Sequence, residues 1–485
     1  MKYILVIDEG TTSTRAMIFD EKMKEVSSAR RKFAQYFPKP GWVEHDAEEI
    51  YEKVLETICE ALEKAKINPR NIISIGITNQ RETIVPFDRG TGKPVSRAIV
   101  WQCRRTADMA NTLKEEGLEE EIHKRTGLFL DPYFSGTKIR YLKEHGIKIG
   151  TLFGTIDAFL VFKLTGGENF FTDTTNASRT LLFNINTMSY DKDLLEIFKV
   201  KKEELPEVKE SASFFGKTKG VKCLPDGIPI TGILGDQQAA LLGHGGIEYG
   251  IAKNTYGTGS FLLVNIGKNP LLFDKGILTT VAFTINGKTN YSVEGSIFIV
   301  GALIDWLISI GLLKNIEEIT DILSKNTETN VYFVPAFTGL GAPDWDSSAR
   351  GAIFGLTRGT TREDIVRAAL LSIPLQTESL LRIMRENDIT VSEMRVDGGV
   401  SENDMIMQLQ SDISDLKILR PKFKEITAKG AAFVSGIGAK IIKIDDINSF
   451  ISFEKAFLPN MNLTKREKLF KTYIKAVERT KGWEA

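Results

Sequence analysis

The chain has 485 residues, 42% hydrophobic and 26% charged, a make-up that predicts a globular protein of two or three domains with a large core. Lys and Arg together number 63, as do Asp and Glu, so no bulk field draws the chain to nucleic acid or to a membrane surface. The three cysteines, Cys59, Cys103 and Cys223, are far apart and odd in number, which fits a reducing compartment and argues against a disulfide framework; four scattered histidines without ligand spacing argue against zinc.

The N-terminus, MKYILVIDEG, runs into an acidic turn after five apolar residues, too short for a signal peptide, and a cytoplasmic protein is expected. Tyr3 to Asp20 (YILVIDEGTTSTRAMIFD) reads as strand, turn, strand. Its turn gathers backbone donors, the hydroxyls of Thr11, Thr12 and Ser13, and the cation Arg15, and clustered N–H groups of this kind wrap phosphate oxygens. Asp8, at the mouth of the strand, suits Mg²⁺ held through water. The competing reading is a polar hairpin with a charge at each end, since neither GxxxxGK[ST] nor GxGxxG occurs.

Asp46 to Lys66 predicts a helix capped by Asp46, with Ile50, Val54, Ile58 and Leu62 on its buried face. Asn68-Pro69 ends it, and NIISIGIT follows as a short buried strand. Arg81 and Glu82 come just after that strand's carboxyl end, where α/β sheets bind ligands, and they offer donors and an acceptor for a small polyol. A surface ion pair is the plainer alternative. Ile233 to Ala240 reads as strand, glycine turn, helix, with Asp236 either a helix cap or the base that accepts a hydroxyl proton. Helices alternating with strand hairpins predict an α/β fold.

Gly250 to Gly267 (GIAKNTYGTGSFLLVNIG) repeats the first hairpin's build, with a second Gly/Thr/Ser turn at Thr255 to Ser260. Two such turns facing one cleft suit a nucleoside triphosphate, although chance similarity of two hairpins is an even competitor. The boundary between two lobes is placed in Gly243 to Tyr249, giving 1–246 and 247–485. Ser296 to Leu313 approaches membrane-spanning length, but Asp305 in its middle makes a buried helix the expectation. Val396 to Asn403 again reads strand, glycine pair, helix, and Leu463 to Gly482 predicts a terminal helix on the second lobe.

These pieces, with PKPGWVEHD, NQRET, WQCRR, DPYFSGTK, TNASRT, GDQQAALLG, AKNTYGTGS and RVDGG, coincide along nearly the whole chain with the FGGY carbohydrate kinases, which the sequence closely resembles. NQRET, WQCRR and DPYFSGTK resemble the family's glycerol-phosphorylating branch more than its sugar kinases. The resemblance implies two actin-like (ribonuclease H-like) lobes around a central cleft holding ATP and Mg²⁺, and a homo-oligomer of two or four copies. It implies that Arg81, Glu82, Tyr133, Asp236 and Gln237 bind glycerol, that Trp101 and Phe261 wall its carbons, and that Asp236 is the base. Thr11, Thr12, Ser13, Arg15 and Thr258 would meet the phosphates, Gly301, Gly399 and Asn403 the nucleoside, and Asp8 the metal.

The sequence also departs from the family. Glu9 stands where glutamine is common, and is expected either to favour metal or to point away; Asp305, Asp344 and Pro374 are further departures. The loop Leu224 to Pro229 lacks the arginine that helps bacterial relatives bind fructose 1,6-bisphosphate. The rival functions are another polyol or sugar kinase of the family and, from a different class, a nucleotide-driven clamp of the same fold.

Overall fold

Two hairpins organise the molecule, a computed structural model that describes residues 1–274, 276–325 and 329–484. In the first, Tyr3–Glu9 pairs antiparallel with Ser13–Asp20. On its other edge Tyr3–Glu9 runs parallel to Ile72–Asn79, which in turn runs parallel to Pro229–Gly235. Glu25–Lys32 and Gly216–Lys217 close this six-stranded sheet at its two edges. Registers Glu9↔Asn79 and Gly235↔Asn79 align three carboxyl ends, so the residues that follow those strands meet at one edge.

The second hairpin, Ile251–Tyr256 with Ser260–Gly267, has the same surroundings: an antiparallel partner on one side and the parallel strand Glu393–Asp397 on the other. Its seven-stranded sheet continues through Lys288–Ile297 and Leu278–Ile285 on one flank, and through Ile418–Pro421 and Phe453–Phe457 on the other. The likeness of the two hairpins in sequence is therefore matched by a likeness in sheet context.

Each sheet has its own core. Helix Ala47–Ala65, capped by Asp46 accepting from the N–H groups of Glu48 and Glu49, buries Ile50, Val54, Ile58 and Leu62 beside Leu5 and Ile7 on one face of the first sheet. Helix Arg362–Glu386 does the same for the second sheet with Ala369, Ile373 and Leu380, and runs through Pro374. The terminal helix Leu463–Glu478 seats Phe470 and Tyr473 against Tyr332 and Val334, as expected.

Between the sheets lies a third core. Ile4, Val6 and Phe19 face it from the first sheet and Phe283 from the second, with helices Asp236–Gly243 and Ile426–Gly438 filling the space. The helices cross almost backbone to backbone: a Cβ on Gly430 would stand 1.8 Å from the carbonyl oxygen of Ala239. A smaller antiparallel sheet (Glu44–His45, Ala98–Ile99, Ile84–Asp88, Thr151–Thr155) and helix Ser135–Glu144 build a further core that carries Trp101 and Tyr133.

Two expectations need correcting. Cys59 and Cys223, 164 residues apart, form a disulfide with Cα atoms 5.5 Å apart, while Cys103 is buried and free. Sequence distance hid that the helix bearing Cys59 lies beside the loop bearing Cys223. Ser296 to Leu313 is not one buried helix: Ser296 and Ile297 end a strand, and the helix is Gly301–Ser309, amphipathic with Asp305 exposed. Among the described residues no helix is long and apolar enough to cross a membrane.

Candidate active site

The loop after Ile72–Asn79 is not a surface ion pair. Arg81 is 3% exposed and Glu82 1%. Gly235, at the end of the neighbouring strand, makes room: a Cβ there would stand 2.8 Å from Arg81 Cδ. Arg81 Nε lies 3.3 Å from Asp236 Oδ1 and 3.8 Å from Glu82 Oε1, so three predicted acceptor residues form one ionic cluster. Glu82 has a left-handed backbone (φ 62°), and its carbonyl accepts from Ser135 Oγ at 3.1 Å and Lys138 Nζ at 3.4 Å. Lys138 Nζ also donates to the carbonyls of Tyr133 and Phe134. This buried lysine, which burial pulls down to about 7, thus ties the Tyr133 loop to the Glu82 loop.

Asp236 opens helix Asp236–Gly243, and its Oδ1 accepts from the N–H of Gln237 at 2.7 Å. Burial raises its pKa, against the lowering pull of Arg81 and Lys253. A carboxylate moved upward is a better proton acceptor than the helix terminus alone would leave it. Gln237 accepts a hydrogen bond from Lys253 Nζ, a buried lysine of the second hairpin lowered to about 8 by burial. Phe261 is opposite Thr255 in register and Glu294 opposite Leu263, so Phe261, Lys253, Thr255 and Glu294 share the face of the second sheet turned to this site.

Trp101 joins Tyr133 to the turn of the first hairpin. Its ring meets Tyr133 edge-on at 5.5 Å, and its Nε1 donates to Thr11 Oγ1 at 3.0 Å. In the turn itself Ser13 Oγ accepts from Arg30 Nε at 2.8 Å, and Thr12 is exposed. Arg15 is paired with Glu425, which precedes helix Ile426–Gly438. Asp8 sits across the strand pair from Arg15 with its pKa pushed up to about 6, chiefly by burial. Glu9 points the other way, fully buried, with Gln80 Nε2 donating to both of its carboxyl oxygens at 3.2 and 3.4 Å.

The nucleoside candidates lie on the second lobe, apart from the acceptor cluster. Gly301 N–H donates to the carbonyl of Gly257, and Gly398 (φ 88°) would, with a Cβ, stand 2.3 Å from the carbonyl of Tyr256. Thr258 and Gly399 are exposed beside these contacts. The side chain of Asn403 is engaged: its Oδ1 caps helix Asp404–Ser414, and its Nδ2 donates to Thr320 Oγ1 at 3.3 Å.

Sequence reasoning missed Arg179, Lys253, Glu294 and Lys138, each buried. A signal existed for Glu294, a lone charge in the otherwise uncharged, wholly buried run YSVEGSI, because buried charges occur with partners. Arg179 and Lys253 lie inside the family-like stretches TNASRT and AKNTYGTGS, without any pattern of their own.

Comparison with known proteins agrees with this geometry. Residues 3–243 match the model of the FGGY family of carbohydrate kinases, N-terminal domain, and 252–439 its C-terminal domain. The chain is 47% identical to glycerol kinase 2 of Thermotoga maritima, covering 100% of both, and 47% identical to glycerol kinase of Lactobacillus acidophilus, covering 99% of this chain and 98% of that one. Its structure is similar to that of Plasmodium falciparum glycerol kinase with ADP, with TM-score 0.94 and 38% identity over 99% and 98% of the two chains. Xylulose kinase from Lactobacillus acidophilus, at 23% identity and TM-score 0.91, shares the fold. The chain belongs to the FGGY family of carbohydrate kinases.

Proposed function

We propose that the chain transfers the γ-phosphoryl group of ATP to glycerol, forming sn-glycerol 3-phosphate and ADP. The observation that carries this is the 47% identity, end to end, to glycerol kinases. The clustering of Arg81, Glu82 and Asp236 beside Trp101 and Tyr133 supplies the chemistry. A triol offers little apolar area, so selectivity must come from pairing its hydroxyls, and Arg81, Glu82, Tyr133, Asp236 and Gln237 provide donors and acceptors for that. Sites built this way reject analogues lacking a hydroxyl by roughly 10⁴-fold. Trp101 and Phe261 wall the carbons.

Asp236 accepts the proton of the attacking hydroxyl. Its proton affinity, raised by burial, suits a transfer whose loose transition state needs mainly positioning and neutralisation of charge. Thr11, Thr12, Ser13 and Arg15 on one lobe and Thr258 on the other hold the phosphates; Gly301, Gly399 and Asn403 flank the nucleoside. Mg²⁺ takes one or two carboxylates and completes its shell with water and phosphate oxygens, and Asp8 fits that need. When bound, it neutralises phosphate charge. We assign the lobes to 1–246 and 247–485; the family matches ending at 243 and resuming at 252 support a crossing near Gly243 to Tyr249.

The test is ADP release with glycerol against dihydroxyacetone, xylulose and gluconate. Preference for glycerol is expected, and equal turnover of a sugar would replace this reading with the other polyol or sugar kinases of the family. D236N should bind glycerol while losing several orders of magnitude in kcat.

A further inference from the structure

Glu294 is fully buried on strand Lys288–Ile297 of the second sheet, and no role in phosphoryl transfer requires a carboxylate at that place. It nevertheless holds the acceptor-site arginine. Arg81 Nη1 and Nη2 donate to Glu294 Oε2 and Oε1 at 2.6 and 3.0 Å, the two-pronged geometry that fixes a guanidinium plane. Nη1 also donates to Gln238 Oε1 at 3.2 Å. Of the five N–H groups, those bonds leave one at Nη2 and the Nε–H beside Asp236 for an acceptor hydroxyl. Arg179 locks the arrangement: its Nη2 donates to Glu294 Oε1 at 3.1 Å and its Nε to Glu82 Oε1 at 2.5 Å.

The cluster is balanced in charge, with Arg81, Arg179 and Lys253 against Glu82, Asp236 and Glu294. Burial alone would raise the Glu294 carboxyl, but Arg179 and Arg81 hold it down at about 2. Arg81, Arg179, Glu82 and Asp236 come from the first lobe; Glu294 and Lys253 come from the second. The first lobe therefore carries the hydroxyl-pairing residues of the acceptor set, with Phe261 added from the second, and Gln238 as one partner of their central arginine, but the carboxylate fork that fixes the guanidinium plane comes from the second lobe.

We propose that Glu294 is a positioning residue: the second lobe, through this carboxylate, sets the plane of Arg81, so the acceptor binds tightly only when the two sheets are seated together. This rests on the reading that Arg81 binds glycerol. The plainer role, neutralising two buried arginines, predicts a loss of stability alone.

The test is steady-state kinetics of the full chain with E294Q and E294D, alongside melting temperature. An amide keeps the shape but turns an N–H₂ towards arginine donors, so E294Q should raise KM for glycerol by 10- to 100-fold and change KM for ATP by less than twofold. Asp236 faces Arg81, Lys253 and Glu294; removing the Glu294 charge lowers its proton affinity, so the acid limb of kcat should move to lower pH. E294D keeps the charge but shortens the fork, and should give an intermediate KM. A lower melting temperature with KM for glycerol within threefold of wild type would overturn the proposal. If E294Q does not fold, E294D decides by the same comparison, an unchanged KM again overturning it. Absence of glycerol-dependent ADP release in the wild type would instead defeat the functional reading, whatever the variants do.

Discussion

Asp8 and Glu9 are neighbours in sequence, yet the alternation of a strand sends them to opposite faces of the first sheet. Asp8 looks towards Arg15 and Asp236, while Glu9 is enclosed with Gln80 on the side of the first core. Burial, with Asp8 and Asp236 adding to it, raises the Glu9 carboxyl well above the ordinary range, so Glu9 keeps its proton where an unfolded chain would have lost it. A raised folded value means that its stabilising effect is complete below the unfolded pKa near 4.5 and is lost as pH rises towards the folded one. E9Q removes that loss. The melting temperature of E9Q should exceed that of wild type by an amount that grows as the pH rises above about 4.5, and a constant difference would show that Glu9 folds already ionised. Trp101 makes a different kind of link, one N–H donated to Thr11 in the turn of the first hairpin. W101F keeps an aromatic ring, though a smaller one, and loses a bond worth about 0.5–1.5 kcal/mol, so kcat should fall about two- to tenfold through poorer placement of the turn. Unchanged kinetics would mean the turn is fixed without it.

Helix Ile426–Gly438 is the element that turns two sheets into one site. It belongs by sequence to the second half, but it lies on the first sheet: a Cβ on Gly232 would stand 2.4 Å from the backbone nitrogen of Ser435, and Ser435 Oγ shares a hydroxyl cluster with Ser74 and Thr231. At Gly430 it meets helix Asp236–Gly243 carbonyl to Cα, which holds the start of that helix, and so Asp236, in place. Backbone cannot give way as a side-chain tip can, so G430A must push the helices apart, costing about 1–3 kcal/mol or more. Calorimetry should show a clear fall in melting temperature for G430A and almost none for G399A, where nothing lies within 4 Å of the added carbon; equal effects would remove the crossing's importance. None of this was legible locally. The hairpins, the helix capped by Asp46 and the strand before Arg81 were readable because period, caps and turn residues are properties of a few adjacent positions. The sharing of a helix between sheets, the Glu294 fork and the burial of Arg81 depend on contacts across 200 residues or so, and even where YSVEGSI shows that Glu294 must have a partner, one chain does not say which. Asp305 was misjudged for the opposite reason: composition suggested a buried helix, when the helix is short and turns Asp305 to solvent.

The molecule as a whole holds its first lobe by a covalent tie that the second does not share. Cys59 sits on helix Ala47–Ala65 and Cys223 in the exposed loop before Pro229–Gly235, and the bond spans 164 residues of separation, including three of the four strands of the small sheet together with Trp101 and Tyr133. A crosslink of that span restricts the unfolded chain and is typically worth about 2–4 kcal/mol. Its position matters as much as its size. The helix packs on the face of the first sheet occupied by Leu5 and Ile7, opposite the face of Ile4 and Val6 that meets the shared helices, so breaking the bond leaves the cleft untouched. Reduction should therefore lower the melting temperature by about 5–15 °C if the first lobe melts alone, or by about 2–4 °C if the whole chain melts as a unit, while leaving kcat and both KM values at 25 °C unchanged. C59S should melt at the reduced temperature with or without reductant. The form of the transition carries a second answer. If the core between the sheets couples the lobes, reduction shifts one transition as a unit; if it does not, the first lobe melts early and the second at its former temperature. A melting curve insensitive to reductant, or a loss of activity on reduction at 25 °C, would contradict this placement of the tie, the first by removing its weight and the second by tying it to the site.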